Sequence, residues 1–189
     1  MRVSREQVAK NRERIIEVAG RAFREKGFDG IGVADLMKGA GLTHGGFYGH
    51  FASKDDLIAE ASAAVMDRST VKWEKLAETS PDKALAAIVS SYLDKSHRDN
   101  AGTGCLIAAL APDIARQKET VRARFTQGTQ SLLRVLAKAI PGQSEAARRE
   151  KAIATLAGLV GTIVLSRAVD DPKFADEILH AGQEVFSRK

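Results

Sequence analysis

Apolar side chains return every three or four residues almost throughout this chain, and no stretch alternates with the two-residue period of a strand. That single pattern restricts the chain to an all-α fold. Ile15, Val18, Ala19, Ala22 and Phe23 stripe a first helix from about Ser4 to Lys26, with Gly27 placed to stop it. Val33, Leu36, Met37 and Ala40 stripe a short second helix that ends at Gly41. Thr43 is positioned to cap a third, and Ser53 a fourth whose first turn carries Asp55 and Asp56 at the positive end of the helix dipole. Pro81 opens a fifth helix striped by Leu85, Ile88, Val89 and Tyr92, and residues 100–104 read as a loop. An Ala-rich helix starts near Cys105 and is interrupted by Pro112. A long one carries Val121, Phe125, Leu132 and Leu136 up to Pro141-Gly142. Two more follow, from about Ser144 to Val169 and from Pro172 onward, giving about nine helices.

Charge separates the two ends. Residues 1–54 carry ten Lys/Arg against six Asp/Glu, whereas residues 55–189 carry nineteen against eighteen. A basic head on a near-neutral body suits a nucleic-acid-binding segment, although a modest bias of this kind also describes an ordinary solvated surface. We therefore divide the chain into a head, 1–54, and a body, 55–189. The single cysteine, Cys105, leaves no disulfide framework and fits a reducing cytoplasm. Met1 runs directly into Arg2-Val3-Ser4-Arg5 without an apolar leader. The most apolar stretch, Ile153 to Leu165, is too short to span a bilayer alone, so no membrane partner is expected.

Within the head, residues 33–51 describe a short helix, a Gly41-centred turn and a second short helix, braced by a longer helix before them. That is the order of a helix-turn-helix, whose second helix enters the major groove N-terminus first. Gly45, Gly46 and Gly49 weaken a helix by roughly 1 kcal/mol each relative to Ala. A chain tolerates this where its backbone must approach another surface closely; a Gly-rich connector is the plainer reading.

The string GLTHGGFYGHF at 41–51, followed by Lys54 and Leu57, closely resembles the recognition segment of the tetracycline-repressor-like (TetR/AcrR) family, and Arg14 to Phe28 resembles that family's first helix. The likeness covers about residues 10–60. It implies an N-terminal three-helix helix-turn-helix head on a C-terminal helical bundle that dimerises and binds a small effector. Carried onto this chain, Thr43 would cap the recognition helix and offer its hydroxyl to a phosphate, and His44 would lie near base edges. Gly45 and Gly46 would admit the backbone, and Tyr48 and Lys54 would contact phosphates. Phe47 and Phe51 would hold the core, and His50 would either contact a phosphate or pack. Gly32 stands where the family usually has a capping Thr, so that hydroxyl is missing. No Arg, Asn or Gln lies within 43–51, so specificity would lean on backbone contacts, DNA shape and water. Arg2, Arg5, Lys10, Arg12 and Arg14 form an arm that either reaches DNA or is a solvated terminus.

In the body, Ala154, Ala157, Gly158 and Gly161 put small residues on one side of an apolar helix, with Leu156, Leu159, Val160 and Ile163 supplying burial. Phe174, Ile178 and Val185 stripe the last helix. These are the dimer candidates, with intramolecular packing as the alternative. Met66, Trp73, Tyr92, His97, Leu106, Leu110 and Phe125 are candidates to line an effector cavity, or are plain core. Cys105 stands at a helix start, where a thiolate is favoured. Its Gly-Cys-Leu-x-x-Ala-Leu setting resembles a subgroup of the family that includes electrophile- and oxidant-responsive repressors. Modification of Cys105 is thus one expectation, and a small buried apolar residue the other.

The expected partners are double-stranded DNA carrying an inverted repeat, a second copy of the chain, and an unidentified effector. No enzyme is expected. His44, His50, His97 and His180 lack metal-ligand spacing, no phosphate-binding Gly loop is present, and no catalytic residue, metal or cofactor is indicated. The competing expectation is a helical small-molecule-binding or partner-binding protein that no longer binds DNA.

Overall fold

The computed structural model describes residues 4–187. Among them are nine α-helices, three short 3-10 turns and no strand. The α-helices are α1 Arg5–Lys26, α2 Val33–Gly39, α3 Lys54–Thr79, α4 Ala84–Tyr92, α5 Lys95–Asp99, α6 Leu106–Ile114, α7 Glu119–Ala139, α8 Glu145–Ala168 and α9 Pro172–Phe186.

Several starts are set by one side chain. Ser4, Ser53, Ser144 and Asp171 each accept a backbone N–H of the first turn, from Gln7, Asp56, Ala147 and Lys173. Each cap contributes about 1 kcal/mol by satisfying a donor that has no partner inside the helix. Pro172 follows its cap at the position where a missing N–H costs nothing.

Three elements differ from the periodicity reading. The third helix is a 3-10 helix, His44–Gly49, because three glycines in six residues remove the side chains that favour α geometry. The five-residue α5 is unexpected; it is nucleated by Asp94, whose carboxylate accepts the Ser96 N–H at 2.8 Å. Pro112 lies inside α6 without ending it, since the helix closes two residues later at Ile114.

The head packs α1, α2 and the 3-10 helix around Ile15, Phe23, Phe28, Leu36, Met37, Phe47 and Phe51, all buried. Burial of each large side chain contributes roughly 2 kcal/mol. The core continues without a break into the body, because α3 runs out of the head carrying Leu57 and Ile58 at one end and Trp73 farther along. There α3 packs on α7, α7 on α8, and α8 on α9. By length and composition α8 is apolar enough to cross a membrane, a longer element than the stretch Ile153–Leu165 suggests. Its inner side instead buries Ala152, Leu156, Leu159 and Ile163 in the core.

Candidate nucleic-acid interface and effector cavity

Gly41 makes the turn. Its φ of +70° lies in the left-handed region that side chains disfavour, and it lets Leu42 N–H reach the Met37 carbonyl at 2.9 Å. The chain then enters the 3-10 helix, which Phe47 and Phe51 pin to the core with their rings stacked 5.7 Å apart. Most of the residues around those pins are open to solvent. Thr43, His44, Gly45, Gly46, Tyr48 and Gly49 are exposed, and Tyr48, at 71%, is the most exposed large hydrophobic or aromatic side chain among the described residues. A Cβ added at Gly45 or Gly49 would meet nothing within 4 Å. No internal contact therefore requires glycine at either place.

Thr43 holds the N-cap position, but its hydroxyl makes no capping bond; the turn closes instead through Gly46 N–H on the Thr43 carbonyl at 3.0 Å. Lys54 differs more from the expectation. Its Nζ donates to the Phe28 carbonyl at 2.6 Å, fastening the start of α3 to the loop after α1. His50 is half-buried, and its Nδ1 has no partner among the described residues. Of the basic arm, Arg12 pairs with Glu60 and lies 4.8 Å over the Phe51 ring, so it serves the fold. Lys10 pairs with Glu6 at 2.7 Å, and Arg5 is exposed. Arg14 lies beside Gly41 in an open groove with Arg21, Arg24 and Arg68. Arg2 lies outside the described residues.

A second site lies in the body. A cavity of about 150 Å³ is lined by Ser69, Lys72 and Trp73 of α3, Ser91 and Tyr92 of α4, Ser96 and His97 of α5, Thr103, Gly104 and Cys105 before α6, and Leu132 of α7. His97 organises its wall. Its Nε2 accepts the Cys105 N–H at 2.8 Å, so that nitrogen carries no proton, and Nδ1 then donates to the Tyr92 carbonyl at 2.5 Å. Burial first, then the charges of Arg167 and Lys72, hold His97 below its ordinary value, outweighing the Tyr92 carbonyl. The Tyr92 ring stands edge-on to Trp73 and to His97, and its buried hydroxyl has no hydrogen-bond partner. Burial, followed by the neighbouring Cys105, raises this phenol well above its usual range.

Two arginines tie the cavity wall to the rest of the molecule. Arg24, near the end of α1, donates to the Gly102 carbonyl through Nε at 3.0 Å and again through a terminal nitrogen. Burial and then Arg68 pull Arg24 down to about 10. Arg167 of α8 donates to the carbonyls of His97 at 2.6 Å and Arg98 at 2.8 Å.

Residues 15–61 match the family model of bacterial regulatory proteins, tetR family. The segment includes α2, the Gly41 turn, the 3-10 helix and the start of α3. This stretch is a TetR-family N-terminal domain. Among curated relatives, YfiR of Bacillus subtilis, an uncharacterized HTH-type transcriptional regulator, is 30% identical over 94 residues, covering 50% of this chain. That alignment spans 44% of the length of YfiR, less than half. NemR of Escherichia coli K12, an HTH-type transcriptional repressor, is 24% identical over 138 residues, 71% of this chain and 69% of NemR. The crystal structure of reduced E. coli NemR superposes with a TM-score of 0.76 at 17% identity, covering 93% of this chain and 97% of that one. A TetR-family regulator from Agrobacterium tumefaciens gives a TM-score of 0.78 at 20% identity, covering 96% and 100%. The shared all-α fold thus extends well beyond the segment in which the sequences agree.

The expected site residues fall into three groups. Of the expected DNA-contact residues, Thr43, His44, Gly45, Gly46 and Tyr48 are all exposed. Trp73, Tyr92, His97 and Cys105 meet at the cavity, whereas Met66, Leu106, Leu110 and Phe125 are not among its lining residues. Met66 packs against Gly128, and Leu106 and Leu110 are fully buried core. On α8 and α9, Ala154, Ala157, Phe174 and Val185 are exposed, Ile178 is half-buried, and Gly161 opens to space. Gly158 is covered from within by the Phe186 ring, while Leu156, Leu159 and Ile163 are core. The sequence reading missed Ile153, Val164 and Leu165, which extend the exposed apolar face at 49%, 42% and 59%. It also missed Ser69, Lys72, Ser91, Ser96, Thr103 and Gly104, whose polar or small side chains carry no periodic signal, and Leu132, whose periodicity marks it only as a buried position.

Proposed function

We propose that this protein is a cytoplasmic, dimeric transcriptional repressor that leaves an inverted-repeat operator when its cavity is occupied or Cys105 is modified. The exposed recognition surface carries the reading: residues 43–49 are held by two buried phenylalanines, and Gly45 and Gly49 are open to space. Thr43, Tyr48 and, with its remaining donors, Lys54 contact phosphates; His44 and the glycine backbone face the bases. His50 is a further phosphate contact. The head extends to residue 54 and the effector and dimerisation body begins at 55. The NemR structure is of a reduced form, and a redox-dependent state of that protein supports the reading of Cys105.

Two copies pair through α8 and α9, placing Ile153, Ala154, Ala157, Gly161, Leu165, Phe174, Ile178 and Val185 against their counterparts. An apolar face this extensive favours burial in water. The dimer sets two recognition surfaces about 34–36 Å apart, one helical turn of DNA. Release is a population shift, and requires an effector that binds the two spacings with different affinity. Two links carry it: α3, which reaches from the head to Trp73, and the Arg24 bonds to Gly102, three residues before Cys105.

The test is a fluorescence-anisotropy titration against duplex DNA from upstream of the protein's own gene, with a scrambled duplex, at two salt concentrations. Tight, salt-sensitive binding to the first alone is expected, with release by a thiol-reactive electrophile in the native protein and not in Cys105→Ser. Binding to neither duplex at low salt, nor to any member of a random duplex pool, would overturn the reading. It would leave a helical small-molecule-binding protein.

A further inference from the structure

Among the cavity's polar groups, Tyr92 is the one whose buried hydroxyl has no partner. His97 has both ring nitrogens committed, one to the Cys105 N–H and one to the Tyr92 carbonyl. Ser69 and Thr103 donate to the carbonyls of Val65 and Asn100. Tyr92 is 4% exposed, and Cys105 is the side chain that acts most strongly on its hydroxyl. A buried hydroxyl left unsatisfied beside a nucleophile is expensive unless a ligand supplies the acceptor.

We propose that Tyr92 is the hydrogen-bond donor to the carbonyl oxygen of a small conjugated carbonyl compound while the Cys105 thiol adds to that compound's β-carbon. This deepens, and rests on, the reading of Cys105 as a modified residue.

The electrons balance without a co-reactant. The sulfur lone pair forms the S–Cβ bond, the C=C π pair moves to the α-carbon and carbonyl, and the charge settles on the oxygen held by the Tyr92 O–H. The thiol proton is lost to solvent, a proton returns from solvent to the α-carbon, and the net change is S–H added across the double bond. Burial keeps Tyr92 protonated at neutral pH, so it is a donor and not a base for the thiol. The guanidinium groups of Arg24 and Arg167 both lie within electrostatic reach of Cys105. The cavity of about 150 Å³, with hydroxyl groups on several sides, suits a small polar molecule better than a large apolar one.

The experiment measures the rate of Cys105 adduct formation by mass spectrometry in full-length protein, native and Tyr92→Phe, with Cys105→Ser as the blank. Methyl vinyl ketone, which places charge on a carbonyl oxygen, is compared with iodoacetamide, which places it on departing iodide. Tyr92→Phe should slow the first reaction by about tenfold or more and leave the second within about twofold. Equal slowing of both would mean that Tyr92 only governs access, and no slowing of either would mean that it takes no part; both outcomes overturn the proposal. If native protein is modified and leaves operator DNA while Tyr92→Phe reacts equally fast, the proposal fails and the modification reading stands. If the native thiol reacts with neither reagent, both fall together.

Discussion

Glycine serves opposite ends in the two working regions of this protein. Around the recognition surface, Gly45 and Gly49 have empty space where a side chain would project. Beside the cavity, a Cβ on Gly104 would lie 2.7–2.9 Å from the His97 ring and the Arg167 guanidinium. A Cβ on Gly102 would lie 2.1 Å from a Glu25 carboxylate oxygen. The first pair leaves room for something outside the molecule. The second pair lets three helices close on one turn of chain. Absence of a side chain therefore marks a contact surface in one place and a packing constraint in the other.

Exchanging these glycines for alanine tests the contrast most directly. Gly104→Ala should cost about 1–3 kcal/mol in urea denaturation, because either the His97 ring or Arg167 must move. Gly49→Ala should leave stability unchanged or raise it by up to about 1 kcal/mol, while weakening operator binding in the anisotropy titration. A Gly104→Ala protein as stable as the native one would erase the distinction between the two regions.

Lys54 sharpens it from the other side, since it belongs to the recognition region by position and to the packing by contact. Lys54→Met should lower stability by about 1–2 kcal/mol without DNA present, through loss of the bond to the Phe28 carbonyl. The same variant should flatten the salt dependence of DNA binding. Unchanged stability would make the lysine a DNA contact alone.

The smallest effect concerns His97. Its pKa is depressed below the ordinary 6.5, chiefly by burial, so the unfolded chain binds its proton more readily than the folded one. Stability contributed by neutral His97 is present above pH 6.5 and is lost as the pH falls through that value toward the folded pKa. Thermal unfolding should therefore move to lower temperature on mild acidification, and His97→Asn should flatten that dependence. A native melting temperature independent of pH across this window would remove His97 from the account of the cavity wall.

How much was legible in the sequence varied with the range of the interaction involved. The cap at Ser53 acts within three residues, and the structure has that bond, whereas Thr43 holds its N-cap position without one. The 3-10 geometry of His44–Gly49 was not visible, because propensity says that three glycines weaken an α-helix without saying what replaces it. The short α5 was missed because five residues show no period, although Asp94 two places before Ser96 was a local signal that could have found it. At the cavity, Trp73, Tyr92, His97 and Cys105 come from four separate stretches. Met66, Leu106, Leu110 and Phe125 have the same apolar or aromatic character but are not among the residues lining it.

The sequence by itself determined the all-α class, most helix boundaries, the Gly41 turn and the family likeness of the head. Each of these depends on residues a few positions apart, where backbone geometry leaves little choice. Only the tertiary structure decided that Lys54 holds the Phe28 carbonyl, that Phe186 covers Gly158, and that Arg24 joins the head to the turn before Cys105. Helical periodicity says which face of a helix is buried but not which neighbour covers it. That choice is made only when α1, α3 and the chain around residues 92–105 pack together.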